Sequence, residues 1–315
     1  MKGVSKGHIA ILVVNIIFGL NIPIAKEVLS NQFIDPLALT YFRVVGAALV
    51  FWFASLFVKS EKLTKKDFLI LFLGSIFAIS LNQTSFIVGL QTTTPIDAAL
   101  IITLTPIITM LISAAYLKEP ITFKKFIGVL VGLTGALILI INSDAFKAGG
   151  SGSWTGNMLC LLSSTSYAAY LVFFRDFIKT KHPVTIMKWM FLFSLVILAP
   201  IALPTAISTD ISKFSTLIYS QIFYVVVLST FLTYLLIPIG QKNLRPTTLT
   251  MYNYLQPIIA AVVAIVMVQD KFGWEKVFSA VLVFLGVYIV TKSKTRQQMD
   301  KERLLKQQAN QEKAK

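Results

Sequence analysis

Blocks of about twenty apolar residues, separated by short polar breaks, run through most of this chain. A helix needs ~20 predominantly apolar residues to cross the ~30 Å hydrocarbon layer of a membrane. Hydrophobic residues make up 56% of the 315 residues and charged residues only 14%. A typical soluble chain has about 45–50% and about 25%, respectively. The sequence therefore predicts an all-α integral membrane protein with many spans.

The polar breaks carry the basic residues unevenly. If both termini are cytoplasmic, 22 of the 29 Lys and Arg lie in cytoplasmic segments and 5 in external ones, whereas Arg43 and Lys188 lie within spans. Such an excess is typical of cytoplasmic loops, so we expect cytoplasmic N- and C-termini in a cell membrane (inner or plasma membrane). Topology also explains the net charge of +15, and we expect no nucleic-acid partner. The ten predicted spans are residues 8–29, 36–58, 67–90, 96–117, 123–141, 156–178, 184–204, 217–240, 247–268 and 275–291.

The chain also repeats itself. Pro257 follows Pro106 by 151 residues, and the same offset pairs Gly89 with Gly240, Pro95 with Pro246, Glu119 with Asp270 and Gly135 with Gly286. Each copy has five spans, an odd number, so the second copy enters the membrane from the opposite face. We therefore predict ten transmembrane helices arranged as two inverted five-helix repeats, which is typical of secondary transporters. The predicted domains are residues 1–145 (first repeat), 146–155 (external Gly/Ser-rich linker), 156–291 (second, inverted repeat) and 292–315 (basic cytoplasmic tail).

These residues carry a resemblance to a known family. The stretch "LTPIITMLISAAYLKEPITFKKFIGVLVGLTGALI" and the first-span stretch "NIIFGLNIPIAK" are similar to the EamA-type members of the drug/metabolite transporter superfamily. The resemblance covers residues 8–291. The chain departs from the pattern in having Asp270 where a glutamate is usual, and in having no seventh-span arginine to match Arg43. The resemblance implies a ten-helix transporter of small metabolites, often amino acids and frequently exported.

Prolines inside three spans suggest where a cavity lies. Pro23, Pro106 and Pro257 each remove a backbone hydrogen bond, and such helix breaks are tolerated where a membrane helix lines a cavity. We interpret them as helix-break or gating positions. Beside Pro257, the side chains of Tyr252, Asn253 and Gln256 share a helix face and are candidate substrate-binding residues.

Further polar positions in other spans are candidates for the same cavity. In the first span Asn15 shares a face with Phe18 and Gly19, whereas Asn21 is expected to point elsewhere. Each candidate could instead hold helices together by packing or hydrogen bonding. The additional candidate substrate-binding residues are Asn15, Asn82, Gln83, Ser163, Tyr167, Tyr170 and Tyr234.

Arg43 is the most specific single candidate. It lies about eight residues into the second span, where a charge is costly and tends to face protein or water. It could bind a substrate carboxylate. Alternatively, it could extend to the outer membrane interface or pair with Asp35.

Chemistry other than transport has little support in the sequence. The acidic residues fall at span ends, in loops or in the tail, and Glu119 and Asp270 are interpreted as helix caps. Two histidines at span edges and the single Cys160 provide neither a metal cluster nor a nucleophile–base pair, so we expect no enzyme activity, metal or cofactor.

The predicted function is a secondary transporter, an exporter or exchanger, that moves a small polar organic metabolite, possibly an amino acid, by alternating access. Its expected partners are the small-molecule substrate and membrane lipids. The alternatives are a passive channel or facilitator and, with less support, an integral-membrane enzyme or a receptor. The small residues Gly128, Gly132 and Gly135 suit packing within the fold or between two copies, so both a monomer and a homodimer remain open.

Overall fold

The computed structural model describes residues 2–30, 34–142, 153–266 and 273–294, with Gln298, Met299 and Leu305 of the tail. The predicted linker up to residue 152, Asp270 and most of the tail lie outside the described residues. The described residues are helical almost throughout. We number ten helical stretches: α1 (Lys2–Ser30), α2 (Pro36–Ser55), α3 (Lys65–Thr92), α4 (Pro95–Ile102 and Thr105–Tyr116), α5 (Phe123–Ile141), α6 (Trp154–Phe173), α7 (Pro183–Ser208), α8 (Thr216–Asn243), α9 (Pro246–Met251, Tyr252–Tyr254 and Leu255–Val266) and α10 (Trp274–Thr291).

Seven of these described helices are long and apolar enough to cross a membrane. They coincide with predicted spans and comprise Val4–Leu29, Pro36–Ser55, Lys65–Thr92, Asp97–Tyr116, Pro183–Ser208, Thr216–Asn243 and Trp274–Thr291. The other three predicted spans are helical in α5, α6 and α9, but do not belong to this set. The chain is therefore an all-helical, multi-pass membrane protein, as composition predicted.

Capping residues define where several helices begin. The side chain of Asp35 accepts a hydrogen bond from the Leu37 amide at the start of α2, and Pro36 occupies the first turn, where its missing N–H costs nothing. Thr64 and Asp67 form a reciprocal capping box at the start of α3. Thr122 caps α5. These short polar signals separate apolar segments that would otherwise favour longer helices.

Of the three prolines interpreted as helix-break positions, two lie just after a break. In α4 the helix is interrupted at Thr103 and Leu104, before Pro106, and the carbonyl of Ile102 accepts a hydrogen bond of 2.7 Å from the Thr105 hydroxyl. In α9 a 3₁₀ turn at Tyr252–Tyr254 precedes Pro257. Pro23 differs, because α1 continues through it without interruption.

Two helices contain π-helical turns, which release backbone carbonyls for other partners. They occupy Ile76–Ser80 in α3 and Tyr224–Leu232 in α8. The Ala78 carbonyl in the first turn accepts a 2.7 Å hydrogen bond from the Tyr234 hydroxyl, and the Val225 carbonyl in the second accepts one from Thr230. Both turns therefore serve contacts near the middle of the bundle.

A seam of glycines joins α5 and α10. A Cβ atom on Gly286 would lie 2.6 Å from the backbone nitrogen of Gly132, and one on Gly135 would lie 2.7 Å from the Ser279 carbonyl oxygen. Tyr254 of α9 packs against Gly132. The predicted small-residue strip thus packs within the chain, where it brings two backbones into direct contact.

The remaining helices pack in a regular set of pairs. α2 packs against α7, α3 and α4 pack against α6, α1 packs against α8 and α9, and α4 also contacts α9. The main core lies between these helices, with Phe51 of α2 stacked on Phe191 of α7. Helices from both predicted repeats therefore surround the centre of the bundle.

Candidate functional site

A cavity of about 100 Å³ lies between α1, α2, α3, α4, α6, α8 and α9. It combines apolar side chains with amide, hydroxyl and guanidinium groups, a composition typical of small-molecule sites. Its volume is below the ~150 Å³ of a cavity that admits benzene, so this conformation suits only a small molecule. The lining residues are Phe18, Asn21, Ile22, Arg43, Asn82, Gln83, Phe86, Ile102, Thr105, Ser163, Ser164, Tyr167, Tyr234, Asn253 and Gln256.

Most of the candidate residues from the sequence meet at this cavity. The structure brings together Arg43, Asn82, Gln83, Ser163, Tyr167, Tyr234, Asn253 and Gln256. Three candidates do not line it. Asn15 is buried behind Gln256, the Tyr252 hydroxyl lies 2.7 Å from Nδ1 of His8, and Tyr170 stacks on Phe174. The prolines also lie outside the lining set, and Pro23 is exposed on α1.

Hydrogen bonds between helices hold several lining amides in place. Gln256 of α9 donates to Oδ1 of Asn15 in α1 at 2.9 Å, and Asn15 in turn donates to the Ile11 carbonyl. On the opposite wall, Nδ2 of Asn82 in α3 donates to both the hydroxyl and the carbonyl of Ser163 in α6. These amides therefore both line the cavity and fasten its walls.

Arg43 is deeply buried, with 4% of its surface exposed. Its Nε donates a 2.9 Å hydrogen bond to the Thr230 hydroxyl, while Nη1 has no hydrogen-bond partner among the described residues. Extension to the membrane interface does not agree with this burial. Pairing with Asp35 is not observed, because that carboxylate caps α2. Arg43 thus presents a fixed guanidinium to the cavity.

Sequence reasoning missed part of the lining. Asn21 was expected to point elsewhere, but it lines the cavity, because the face of α1 that borders it is Phe18, Asn21 and Ile22. Those three residues have i, i+3, i+4 spacing, the signal that could have identified them. Asn15, which was predicted instead of Asn21, accepts a hydrogen bond from Gln256 and does not reach the cavity.

The lining of the cavity carries positive charge without negative charge. Of the described residues that line it, none is acidic, and Arg43 is the single Lys or Arg. Oδ1 of Asn21 and both amide atoms of Gln83 are buried without hydrogen-bond partners. Unpaired buried polar groups are costly, so their convergence on one cavity points to a polar occupant.

A second cluster of charges lies where α1 begins and α10 ends, which we call the terminal side. Glu119 was interpreted as a helix cap, but α5 is capped by Thr122, and Glu119 instead pairs with two cations. Its carboxylate lies 3.1 Å from Nζ of Lys125 and 3.2 Å from Nη1 of Arg175. We call Glu119, Lys125 and Arg175 the ionic cluster.

Arg245 borders the ionic cluster. It donates to the Val290 carbonyl at 3.0 Å and to the Ser293 hydroxyl at the end of α10. The pKa of Arg245 is lowered, mainly because the side chain is buried. The negative charge of Glu119 acts to raise this pKa, and the positive charge of Arg175 acts to lower it. Positive charge therefore exceeds negative charge here, and Glu119 is the group that holds the cations together.

Multi-pass helical architecture and a central polar cavity define the chain as a membrane protein with an internal polar cavity. The chain belongs to the EamA-like transporter family, whose pattern matches residues 5–141 and 154–292. This confirms the resemblance to drug/metabolite superfamily transporters.

Sequence relatives align with most of the chain. A Bacillus subtilis protein described as "Uncharacterized transporter YyaM" is 25% identical over 73% of this chain and 75% of its own length. The Arabidopsis thaliana "WAT1-related protein At1g43650" is 24% identical over 93% of this chain and 92% of its own length. A solved crystal structure of another protein matches with a TM-score of 0.71 at 16% identity, covering 92% of this chain and 96% of that one. At that identity the structural match supports the fold alone.

The ninth helix provides a test of the cavity. We expect Asn253→Ala to change the apparent substrate affinity while leaving thermal stability near the native value, because Asn253 lines the cavity. We expect Gln256→Ala to reduce both the apparent substrate affinity and the thermal stability. The substitution leaves the buried side-chain oxygen Oδ1 of Asn15 unpaired, at a cost of about 1–3 kcal/mol. Transport kinetics and melting curves in detergent separate these effects. Native kinetics in both variants would assign the two amides to helix packing.

Proposed function

We propose that this protein is an alternating-access carrier for a small polar organic metabolite in the cell membrane. The observation that carries the proposal is the central cavity, which is lined by helices of both sequence repeats and contains unpaired polar atoms. A site at the interface of two repeats can be exposed to either side of the membrane in turn. Membership of a transporter family supports the same function.

Helix irregularities support an arrangement of ten spans in two inverted repeats. The 151-residue offset carries the π-helical turn at 76–80 onto 227–231, inside the π-helical turn of α8. It also carries Pro95, in the first turn of one segment of α4, onto Pro246, in the first turn of α9. Matching distortions at matching positions are expected if both halves share one architecture.

The packing pairs support the same arrangement. Replacing each helix by its repeat counterpart converts the α3–α6 contact into α8–α1, and the α4–α6 contact into α9–α1, and all four contacts are present. The pairs α2–α7, α4–α9 and α5–α10 are converted into themselves. A two-fold relation between the repeats accounts for this pattern. If each of the five helices before α6 crosses the membrane, α6, the counterpart of α1, enters from the opposite face and the relation is inverted.

The ionic cluster supports a state that is closed on the terminal side. Glu119 belongs to the first repeat and Arg175 to the second, so their ion pair must separate when the two repeats part on this side. In the sequence, Asp270 is the counterpart of Glu119 at the 151-residue offset, and Lys26 is the counterpart of Arg175 at the offset of 149 residues that applies near the start of each repeat. Lys26 donates to the Leu90 and Thr93 carbonyls at the end of α3. Lys26, near the end of α1, therefore offers the opposite side a basic residue equivalent to Arg175, which follows α6.

The topology is testable with reporters. We expect a reporter fused after Asp144 to lie outside the cytoplasm and one fused after Lys315 to lie inside it, because basic residues concentrate in the segments assigned to the cytoplasm. Paired alkaline phosphatase and fluorescent protein fusions report both positions. Finding both fusions in one compartment would contradict two five-span repeats of opposite orientation.

Transport itself is tested in two stages. A metabolite uptake and efflux screen in a deletion strain selects substrates, and purified protein in liposomes is then assayed for flux with those substrates. A carrier shows saturation and counterflow, in which unlabelled substrate inside the vesicle drives accumulation of label. A passive channel or facilitator pore, the alternative, gives flux without counterflow. Lack of saturable flux with every substrate from the screen would overturn the carrier proposal.

A further inference from the structure

Arg43 indicates the chemical class of the transported substrate (the cargo), which membership of the family does not. A guanidinium buried to this degree is expensive to keep away from water unless an opposite charge and hydrogen bonds compensate it. The described residues offer it only the neutral Thr230 hydroxyl at Nε, and no ion pair. The described part of the chain therefore leaves the compensating charge to a bound ligand.

We propose that the cargo is a small organic monocarboxylate, and that its carboxylate binds Arg43. This inference rests on the proposed carrier function and specifies its substrate class. Arginine suits the task because its planar guanidinium binds a carboxylate through two parallel hydrogen bonds. Nη1, which has no partner in the structure, is available for such a bond.

The charge of the cavity selects among carboxylates. One cation and no acidic lining residue give a neutral complex with a monoanion, whereas a phosphate ester or dicarboxylate leaves an excess negative charge. An amino acid brings an ammonium group that finds no carboxylate on the wall. The monoanion is therefore favoured over the zwitterion.

The other unpaired polar atoms of the cavity lining indicate which groups the cargo carries besides its carboxylate. Oδ1 of Asn21 is an unpaired acceptor, and the Gln83 amide offers an unpaired donor and an unpaired acceptor. A hydroxyl group donates one hydrogen bond and accepts others, so two hydroxyl groups can donate to Oδ1 of Asn21 and Oε1 of Gln83 and accept from Nε2 of Gln83. Together with the volume of about 100 Å³, these atoms fit a short hydroxy acid.

Three-carbon compounds provide matched probes. Glycerate carries the carboxylate and hydroxyls, serine replaces one hydroxyl by an ammonium group, and glycerol replaces the carboxylate by a hydroxymethyl group. Binding to the detergent-solubilised full chain is measured by thermal shift and calorimetry, with lactate and pyruvate as further monocarboxylates. We expect glycerate to bind at least about 10-fold more tightly than glycerol, since a hydrogen bond to a charged group contributes about that factor or more. Glycerate should also bind more tightly than serine, because no acidic residue lines the cavity to pair with the serine ammonium group.

The arginine itself is tested by substitution. We expect Arg43→Gln to weaken glycerate binding about 10- to 100-fold, the range for a lost charge-assisted bond, and Arg43→Lys to be intermediate. Glycerol binding should change little, so wild type and Arg43→Gln with the two ligands form a double-mutant cycle. Thr230→Val retains the charge and loses the Nε anchor, and it provides a milder variant if Arg43→Gln does not fold.

The outcomes separate this inference from the carrier proposal. A coupling factor near 1 in the cycle, tighter binding of serine or glycerol, or no binding of any of the three monocarboxylates overturns the monocarboxylate assignment. Saturable counterflow of serine without glycerate retains the carrier and rejects the anion. Glycerate binding that depends on Arg43 but gives no counterflow in liposomes supports the site and rejects the carrier.

Discussion

Gly286→Ala is expected to lower the stability of the folded protein sharply. The added Cβ would lie 2.6 Å from the Gly132 nitrogen and 2.7 Å from the Gly128 carbonyl oxygen. Both are backbone atoms, which cannot move aside as a side chain can, so α5 and α10 must separate along the seam. Overpacking typically costs 1–3 kcal/mol and occasionally more, and we expect about 3 kcal/mol. Thermal unfolding in detergent, followed by size-exclusion chromatography, measures the effect.

Gly74 provides the matched control. A Cβ there would meet the end of Met190 at 3.4 Å, an ordinary contact with a flexible side chain. Alanine also favours helix over glycine by about 1 kcal/mol, so Gly74→Ala should melt at or slightly above the wild-type temperature. Equal melting temperatures for the two variants would contradict a tight α5–α10 seam. If Gly286→Ala converts a dimer to a monomer without lowering the melting temperature, the glycine seam belongs to an interface between two copies.

The fold was largely predictable because the membrane restricts the choices. Apolar blocks of the length that crosses a bilayer must be helical, since every backbone group needs an internal partner. The positions of Pro106 and Pro257 predicted irregularities in two helices, and both helices are interrupted just before the proline. The π-helical turns in α3 and α8 were not predicted, because no proline or glycine signals them and they depend on partners from other helices.

The site was less predictable because it depends on helix rotation. The polar side chains of each span could be listed, yet the choice between Asn15 and Asn21 required the position of α9, whose Gln256 binds the former. Arg43, in contrast, could be identified from the sequence. Its depth in the second span favoured a functional role, and burial with Thr230 then excluded the membrane interface.

Long-range charge pairs escaped sequence reasoning altogether. Glu119 was interpreted as a cap because it lies shortly before a helix, the position where the dipole favours acidic residues. Its partner Arg175 is 56 residues away and belongs to the other repeat. No local sequence pattern predicts such a pairing.

Substitution of Glu119 by glutamine should be almost as damaging as the glycine change. The side chain of Lys125 is 1% exposed, and glutamine would leave its charge buried without a counter-ion. Removing one partner of a buried pair costs about 3–5 kcal/mol, and we expect the lower end, since Arg175 is 20% exposed and can be solvated. The measurement is the midpoint of thermal unfolding in detergent at neutral pH.

Two controls identify the buried charge as the cause. Asp176→Asn removes the carboxylate of a pair on the same side whose acid is 81% exposed, and it should change stability by no more than about 0.5 kcal/mol. Glu119→Gln combined with Lys125→Met removes both charges and should recover part of the loss. If the double variant is as unstable as Glu119→Gln alone, the unpaired lysine is not responsible. If Glu119→Gln melts like Asp176→Asn, the ionic cluster does not hold the two repeats together on the terminal side.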